Sequence, residues 1–228
     1  LQTRGQALDV MERVFLKEKR WIDSTEQQFP ENMLSDNRFS WFLASVNNKP
    51  AGLLRLFYDP PLELPKEFEV TLNKDIDLEE LANDSRFVEV GRFMILPEFR
   101  RNVRVALRLM RIAVKEVVDR DYTHFITDVY EGEVNSPYRF HTKILGFEVI
   151  GKHLYGELKC SCTRIILTLD ILKAYRRVKA KKHSIYKHLL ADIMPILDKK
   201  LLASETKAHK TARKTKSRDK SVLVHHTV

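Results

Sequence analysis

The chain has 228 residues, 43% hydrophobic and 31% charged, with a mean hydropathy of −0.34. That suits one sizeable core with at most an appendage, and no run of 18 or more apolar residues exists to span a bilayer. The net charge of +9 is unevenly placed: residues 171–228 hold 16 Lys and Arg against 4 Asp and Glu, while residues 1–170 hold 24 against 27.

The start, LQTRGQALDV, lacks the basic-then-apolar layout of a signal peptide, and without a leading Met it implies further residues upstream. A cytoplasmic location is expected. Cys160 and Cys162 sit at alternate positions of an extended segment. Their Cα atoms would be ~6.5–7 Å apart with parallel Cβ vectors, so reduced thiols are expected rather than a disulfide. No fitting His cluster accompanies them, so no metal site is expected.

Leu8, Met11, Val14 and Phe15 recur at helical spacing and predict a helix over 6–20. Residues 24–38 read as a loop or broken helix. Trp41–Val46 and Gly52–Tyr58 flank Asn47-Asn48-Lys49-Pro50, a hairpin signature. A turn-rich connection runs from Asp59 to Pro65, followed by an acidic, irregular stretch over 66–85 with a short helix at 77–82. Phe87–Leu96 is a long strand stopped by Pro97.

A helix over 100–119 shows two stripes. Val103, Leu107, Met110, Val114 and Val117 form an apolar one; Arg101, Arg104, Arg108, Arg111 and Lys115 form a basic one. Phe125–Tyr130 is a strand, Ser136–Ile144 a short helix ended by Gly146, and Phe147–His153 and Thr163–Leu169 are strands. Amphipathic helices follow over 171–182 and 185–203, the second bent at Pro195, and 204–228 form a basic, disordered tail. Residues 1–170 are thus one α/β unit. The helix after the long strand should be a right-handed crossover to a parallel neighbour.

This order, with a strand–turn–helix over 87–119 and Ile144-Leu145-Gly146-Phe147 beyond it, resembles the GNAT superfamily of acyltransferases. The resemblance implies a mixed, mostly antiparallel sheet with a central parallel strand pair, here with a C-terminal helical extension. It also implies an acyl donor whose phosphate meets backbone N–H groups at a helix N-terminus. The turn Phe99-Arg100-Arg101-Asn102-Val103-Arg104-Val105-Ala106 lacks the glycines usual there, which disfavours close wrapping of a nucleotide and suits a pantetheine phosphate held by side-chain charge. Thr142, with His141 beside it, stands where many GNAT acetyltransferases carry a proton-donating Tyr.

Three further motifs resemble acyl-homoserine-lactone synthases: Phe15 with Trp21 six residues on, Gly52-x-x-Arg55-Leu56, and Glu89-x-x-Arg92-Phe93. Met11 and Asn32 replace the Arg and Asp that bind those enzymes' homoserine donor, so a different acceptor is implied. The resemblance therefore narrows to long-chain N-acyl amino acid synthases and the similar acyltransferases of exosortase-linked systems. These take acyl groups from acyl carrier protein and pass them to amines, amino acids included.

Amide formation from a thioester needs a neutral amine, and a carboxylate within reach can take the ammonium's proton. Glu89 is the candidate base; the structural alternative is an ion pair across the sheet. Arg92 would face away from Glu89 on a regular strand, but a bulge permitted by Gly91 would bring it round. A bulge would also free the Phe93 or Met94 N–H as an oxyanion donor. Arg100, Arg101, Asn102, Arg104 and Arg108 are the candidate donor-phosphate and carrier-protein contacts, since carrier proteins are acidic. Phe15, Trp21, Trp41 and Phe42 are candidates to roof the acyl or acceptor pocket, and Arg55 to contact substrate. Tyr138, His141 and Asp128 are candidates to touch the acceptor.

No permanently bound cofactor is expected; acyl-carrier protein or acyl-CoA serves as co-substrate. Two rival readings are an acetyl-CoA-dependent N-acetyltransferase and a non-catalytic adaptor acting through its basic tail. The tail lacks the aromatic interleaving of single-strand binders, which argues against nucleic acid, while the helix at 185–203 suits contact with a membrane surface.

Overall fold

A computed structural model of the chain describes residues 2–83, 85–181 and 189–219. One seven-stranded sheet organises it, in the order β1-β2-β4-β5-β7-β6-β3. Helix α1 (Gln2–Met11) continues through a π-helical segment, Glu12–Glu18, and is followed by the short α2 (Thr25–Gln28). The expected hairpin is β1 (Phe39–Val46) and β2 (Lys49–Tyr58). Its two-residue turn, Asn47-Asn48, has both residues at positive φ, as a tight hairpin needs. β3 (Thr71–Leu72) and α3 (Leu78–Asn83) lie in the stretch that reads as irregular. Then come β4 (Phe87–Ile95), α4 (Val103–Asp119), β5 (His124–Tyr130), β6 (Glu148–His153) and β7 (Arg164–Asp170), and finally α5 (Ile171–Lys181) and α6 (Met194–Asp219).

Among the described residues, β4 and β5 are the parallel pair and the other ladders are antiparallel. The parallel contact runs only from Phe87↔His124 to Glu89↔Ile126, after which the two strands diverge. α4, the crossover between them, is capped by Asn102, whose side chain accepts from the Arg104 N–H at 3.1 Å. Such a cap is worth about 1 kcal/mol. The helix therefore starts three residues later than periodicity predicts. Its buried face is also rotated, consisting of Val105, Ala106, Leu109, Met110, Ala113, Val117 and Val118, while Val103 is 54% exposed.

Two cores lie on opposite faces of the sheet. On one, α4 packs over Leu54, Leu56, Val88, Val90, Phe125, Val129 and Leu167. Ile171, Tyr175, Leu197 and Leu201 of the C-terminal helices join this same core. On the other, α1 and Trp21 cover Leu53, Met94 and Leu96. Pro195 sits in the first turn of α6, where its missing N–H has no intrahelical partner to lose, so it starts that helix and does not bend it. α6 runs on to Asp219, past the boundary at 203 where the composition predicts a disordered tail. Of the expected C-terminal helices and tail, 182–188 and 220–228 lie outside the described residues. Among those described, no helix is long and apolar enough to cross a membrane.

Candidate active site

The divergence of β4 from β5 opens the site. Thr127 begins it by donating its hydroxyl to the Val90 carbonyl at 2.7 Å. In the β2–β4 register, Leu53 faces Met94 and Arg55 faces Gly91, so β4 carries one residue more than its partner over this stretch. This is the expected bulge, but the left-handed residue is Arg92 (φ 52°), not Gly91. The bulge reverses the strand's alternation. Val88 and Val90 face α4 before it; Met94 and Leu96 face α1 after it.

The Leu96 N–H donates to Ala51 O of β2 at 2.9 Å. Strand alternation then turns the Met94 N–H toward β2, and those of Phe93 and Ile95 toward the gap. Arg100 agrees with this, since its Nε reaches across to the Ile95 carbonyl at 3.0 Å. Of the two expected oxyanion donors, the Phe93 N–H is the one that faces the opening.

Two cavities, of about 360 and 460 Å³, meet at a shared wall of Glu89, Arg92, Thr127, Asp128, Tyr130 and Leu158. The first is lined by Arg100, Val103 and Ala106 at the start of α4 and by Phe15 and Trp21. The second lies over the β5-β7-β6 face and is roofed by the 60–72 connection. Its wall is mostly apolar, with Leu62, Leu64, Phe68, Leu72 and Ile150; Glu63, Lys66, His153 and Arg164 add charge or polarity.

Glu89 both lines the cavities and makes the cross-sheet ion pair. Its Oε1 accepts from Arg55 Nη2 at 2.5 Å, with the Glu89 side chain 31% exposed and Arg55 8%. Arg55 lies behind Glu89, outside the cavity walls. Burial lowers the Arg55 pKa from its ordinary value, with the Arg92 charge adding to that and Glu89 opposing it. Arg92 does come round to the cavity side, where its guanidinium donates to Gln28 at 2.5 Å and Glu157 at 2.9 Å.

Of the other expected site residues, Trp41, Phe42 and Tyr138 lie outside both cavities, and His141 lines the first. Trp41 is outside both cavities, stacked on Phe29 with ring centroids 4.0 Å apart. Phe42 packs against the α4 core. Tyr138 also packs there, and its carbonyl accepts the Thr142 hydroxyl. His141 lines the first cavity and is buried. Its Nδ1 lies 3.0 Å from the Pro137 carbonyl, which can only accept, so Nδ1 carries the proton. Nε2 is then a lone-pair acceptor, and it has no partner among the described residues. Burial lowers the His141 pKa to about 4, against the raising effect of the Pro137 bond.

The arginines after β4 divide into two sets. Arg100 is engaged by Glu18 (2.8 and 2.5 Å), Arg111 by Asp192 and Lys115 by Asp119. Side chains of Arg101, Arg104 and Arg108 are exposed and have no ion-pair partner among the described residues. The basic stripe is thus uncompensated only over the first half of α4. Asn102 is spent on the helix cap.

The family model described as N-acyl amino acid synthase FeeM matches residues 6–163. The solved structure of that synthase, from uncultured soil microbes, superposes with a TM-score of 0.56 at 15% identity, covering 77% of this chain and 94% of that one. A protein described as an acetyltransferase of the GNAT family from Desulfovibrio desulfuricans gives 0.51 at 13% identity, covering 74% and 92%. The aminoglycoside 6'-N-acetyltransferase from Enterococcus faecium gives 0.50 at 13% identity, covering 75% and 91%. At these identities the structural likenesses establish the GNAT fold. No curated protein sequence matches the chain.

Proposed function

The chain belongs to the N-acyl amino acid synthase FeeM family and is an N-acyltransferase, and from that premise we propose that it moves a long acyl chain from acyl carrier protein to the amine of an amino acid or a similar small acceptor. The observation that carries this reading is the meeting of two cavities at Glu89 and Arg92, beside the gap-facing N–H of Phe93. One side admits a donor and the other an acceptor, and the reacting atoms meet where the strand bulges.

The donor's pantetheine arm enters the first cavity at the start of α4, with its phosphate near Arg100 and Arg101. The acyl tail lies under Phe15 and Trp21. Phe93 N–H receives the carbonyl oxygen as charge develops on it. Glu89, held in position by Arg55, takes a proton from the acceptor nitrogen. Arg92 fixes the wall between the cavities through Gln28 and Glu157. The acceptor occupies the second cavity, its apolar portion against Leu62, Leu64 and Phe68.

Carrier protein is favoured over CoA as donor for two reasons. The turn before α4 has no glycine, and its Arg104 N–H is already used by Asn102, which leaves little room to cradle a diphosphate. Arg101, Arg104 and Arg108, exposed and without an ion-pair partner among the described residues, lie along the start and first half of α4, whose Val103 and Ala106 line the first cavity, and form a basic surface that complements an acidic protein.

Mass spectrometry of lipid extracts from cells expressing the chain tests the proposal. A long-chain acylated amine absent from control cells is expected. Acetylated products alone, or an equal rate with acetyl-CoA in a donor competition against acyl-carrier protein, would reject it.

A further inference from the structure

Joining an ammonium to a thioester releases two protons from one nitrogen. The first must leave before attack, because an ammonium has no lone pair; the second leaves once the C–N bond has formed. Glu89 accounts for one of them. The wall shared by the two cavities holds a second carboxylate, Asp128, and this one is backed by a histidine.

Asp128 lies on β5 two residues beyond the last parallel pairing, and its side chain is 43% exposed. His153 comes from β6, on the far side of β7, and is nearly buried. Its Nε2 lies 3.4 Å from Asp128 Oδ2, and its Nδ1 lies 2.7 Å from the Tyr155 carbonyl. That carbonyl can only accept, so Nδ1 carries a fixed proton and Nε2 is the position where a second proton is gained or lost. The ring is held by stacking on Phe68 at 6.0 Å. Other charged or titratable groups around Asp128 are Arg92 from β4, Arg164 from β7 and Tyr130 from β5. Arg92 is occupied by Glu157 and Gln28, and Arg164 by the carbonyls of Leu154, Leu158 and Cys160.

We propose that Asp128 and His153 act as one unit that binds the acceptor's ammonium in the second cavity and removes its first proton. Asp128 docks the cation. One N–H bond of the ammonium breaks, the electron pair stays on nitrogen, and the proton passes by way of the carboxylate to His153 Nε2, where the new N–H bond forms. The neutral amine then attacks the thioester carbon. Glu89 takes the second proton from the tetrahedral adduct and gives it to the departing thiolate, while His153 returns the first to solvent. Burial pushes the Asp128 carboxyl up, but Arg92, Arg164 and, once His153 has gained its proton, the His153 hydrogen bond and charge outweigh it and hold the carboxyl below its ordinary range, which keeps the transferred proton on His153 and Asp128 an anion. This assignment rests on the acyltransfer reading above.

The test uses the full chain with dodecanoyl-CoA and dodecanoyl-carrier protein as donors and each of the twenty amino acids as acceptor, with rates read by mass spectrometry across pH. His153→Gln keeps a donor toward Asp128 but cannot gain a proton. It should lose on the order of 10²–10⁴-fold in kcat/KM for the acceptor near neutrality, and recover as pH passes the amine's own pKa. Recovery also shows that the variant is folded. Asp128→Asn should raise the acceptor KM wherever the amine is protonated, with the effect fading above the amine's pKa, and leave the donor KM unchanged. If the wild type transfers acyl groups and both variants match it across pH, the Asp128–His153 unit is rejected alone. If the wild type acylates no amino acid with either donor, the amino-acid acceptor of the reading above fails and takes this proposal with it.

Discussion

Arg55 reaches Glu89 by passing directly over Gly91. Arg55 and Gly91 are partners in the β2–β4 ladder, and the guanidinium spans that position to meet the carboxylate at 2.5 Å. A Cβ on residue 91 would stand 2.6 Å from Glu89 Oε1 and 2.9 Å from Arg55 Nη2. The backbone there is not left-handed, so this glycine is required for space and not for its torsion angles. Gly91→Ala should therefore push the pair apart. Both contacts are the far ends of side chains that can shift, so the main effect expected is a fall in turnover from the displaced carboxylate, with at most about 1 kcal/mol lost in urea unfolding. Unchanged stability and turnover would contradict the geometry.

Glu89→Gln separates the chemistry from the fold. The amide oxygen can still accept from Arg55, but the group can no longer take a proton. Turnover should drop by ~10²–10⁴, the range of a general base, with the unfolding transition still cooperative. Wild-type rates would end the assignment of Glu89 as a base.

Arg104→Glu combined with Arg108→Glu should weaken binding of acyl-carrier protein and flatten its salt dependence, because both side chains are exposed and have no ion-pair partner among the described residues. Arg111→Glu is the contrast. It would break the pair with Asp192 and lower stability by a few tenths of a kcal/mol to about 1 kcal/mol, with little effect on the carrier protein. Surface plasmon resonance at two salt concentrations reads the first effect, and denaturation reads the second.

Asn102→Ala distinguishes a cap from a ligand. A loss of about 1 kcal/mol in stability is expected with the donor KM unchanged. A donor KM raised tenfold at unaltered stability would make Asn102 a phosphate contact instead.

His141 gives the fold an acid-sensitive component. Its pKa is 6.5 in the unfolded chain and about 4 when folded. Above 6.5 the ring is neutral in both states, and its contribution to stability is fully present. As pH falls toward 4 the unfolded chain takes a proton that the folded chain refuses, so stability declines by about 3 kcal/mol across that window. His141→Phe should decline less steeply from pH 6.5 to 4 in parallel urea titrations. Identical slopes would place the neutral ring elsewhere.

How much of this was readable in the sequence depends on distance along the chain. The hairpin, the long strand, α4 and the turn at Gly146 follow from local chemistry. Gly146 sits at φ 87° with Arg177 packed where a Cβ would be. Glu89 and Arg92 were legible because their motif is short and the bulge is confined to one strand. Trp41 was misplaced because an aromatic on a strand looks the same whether it faces a cavity or stacks on Phe29. Asp192, which neutralises Arg111, is 81 residues from it, so the helix pattern alone overstated the basic stripe. The second cavity was invisible for the same reason: its roof comes from 60–72 and its floor from β5, β6 and β7.

The extra residue at position 92 acts like a half-turn in a crankshaft. Every side chain after it points where its neighbour would otherwise have pointed, and this sends Met94 and Leu96 under α1 while Val88 and Val90 stay under α4. Deleting that single residue would swing Met94 and Leu96 onto the wrong side and leave α1 resting on β1 and β2 alone. The kink that turns the Phe93 N–H into the gap also helps to seat the N-terminal helix, so the proposed site geometry cannot be straightened without disturbing a whole layer of the molecule.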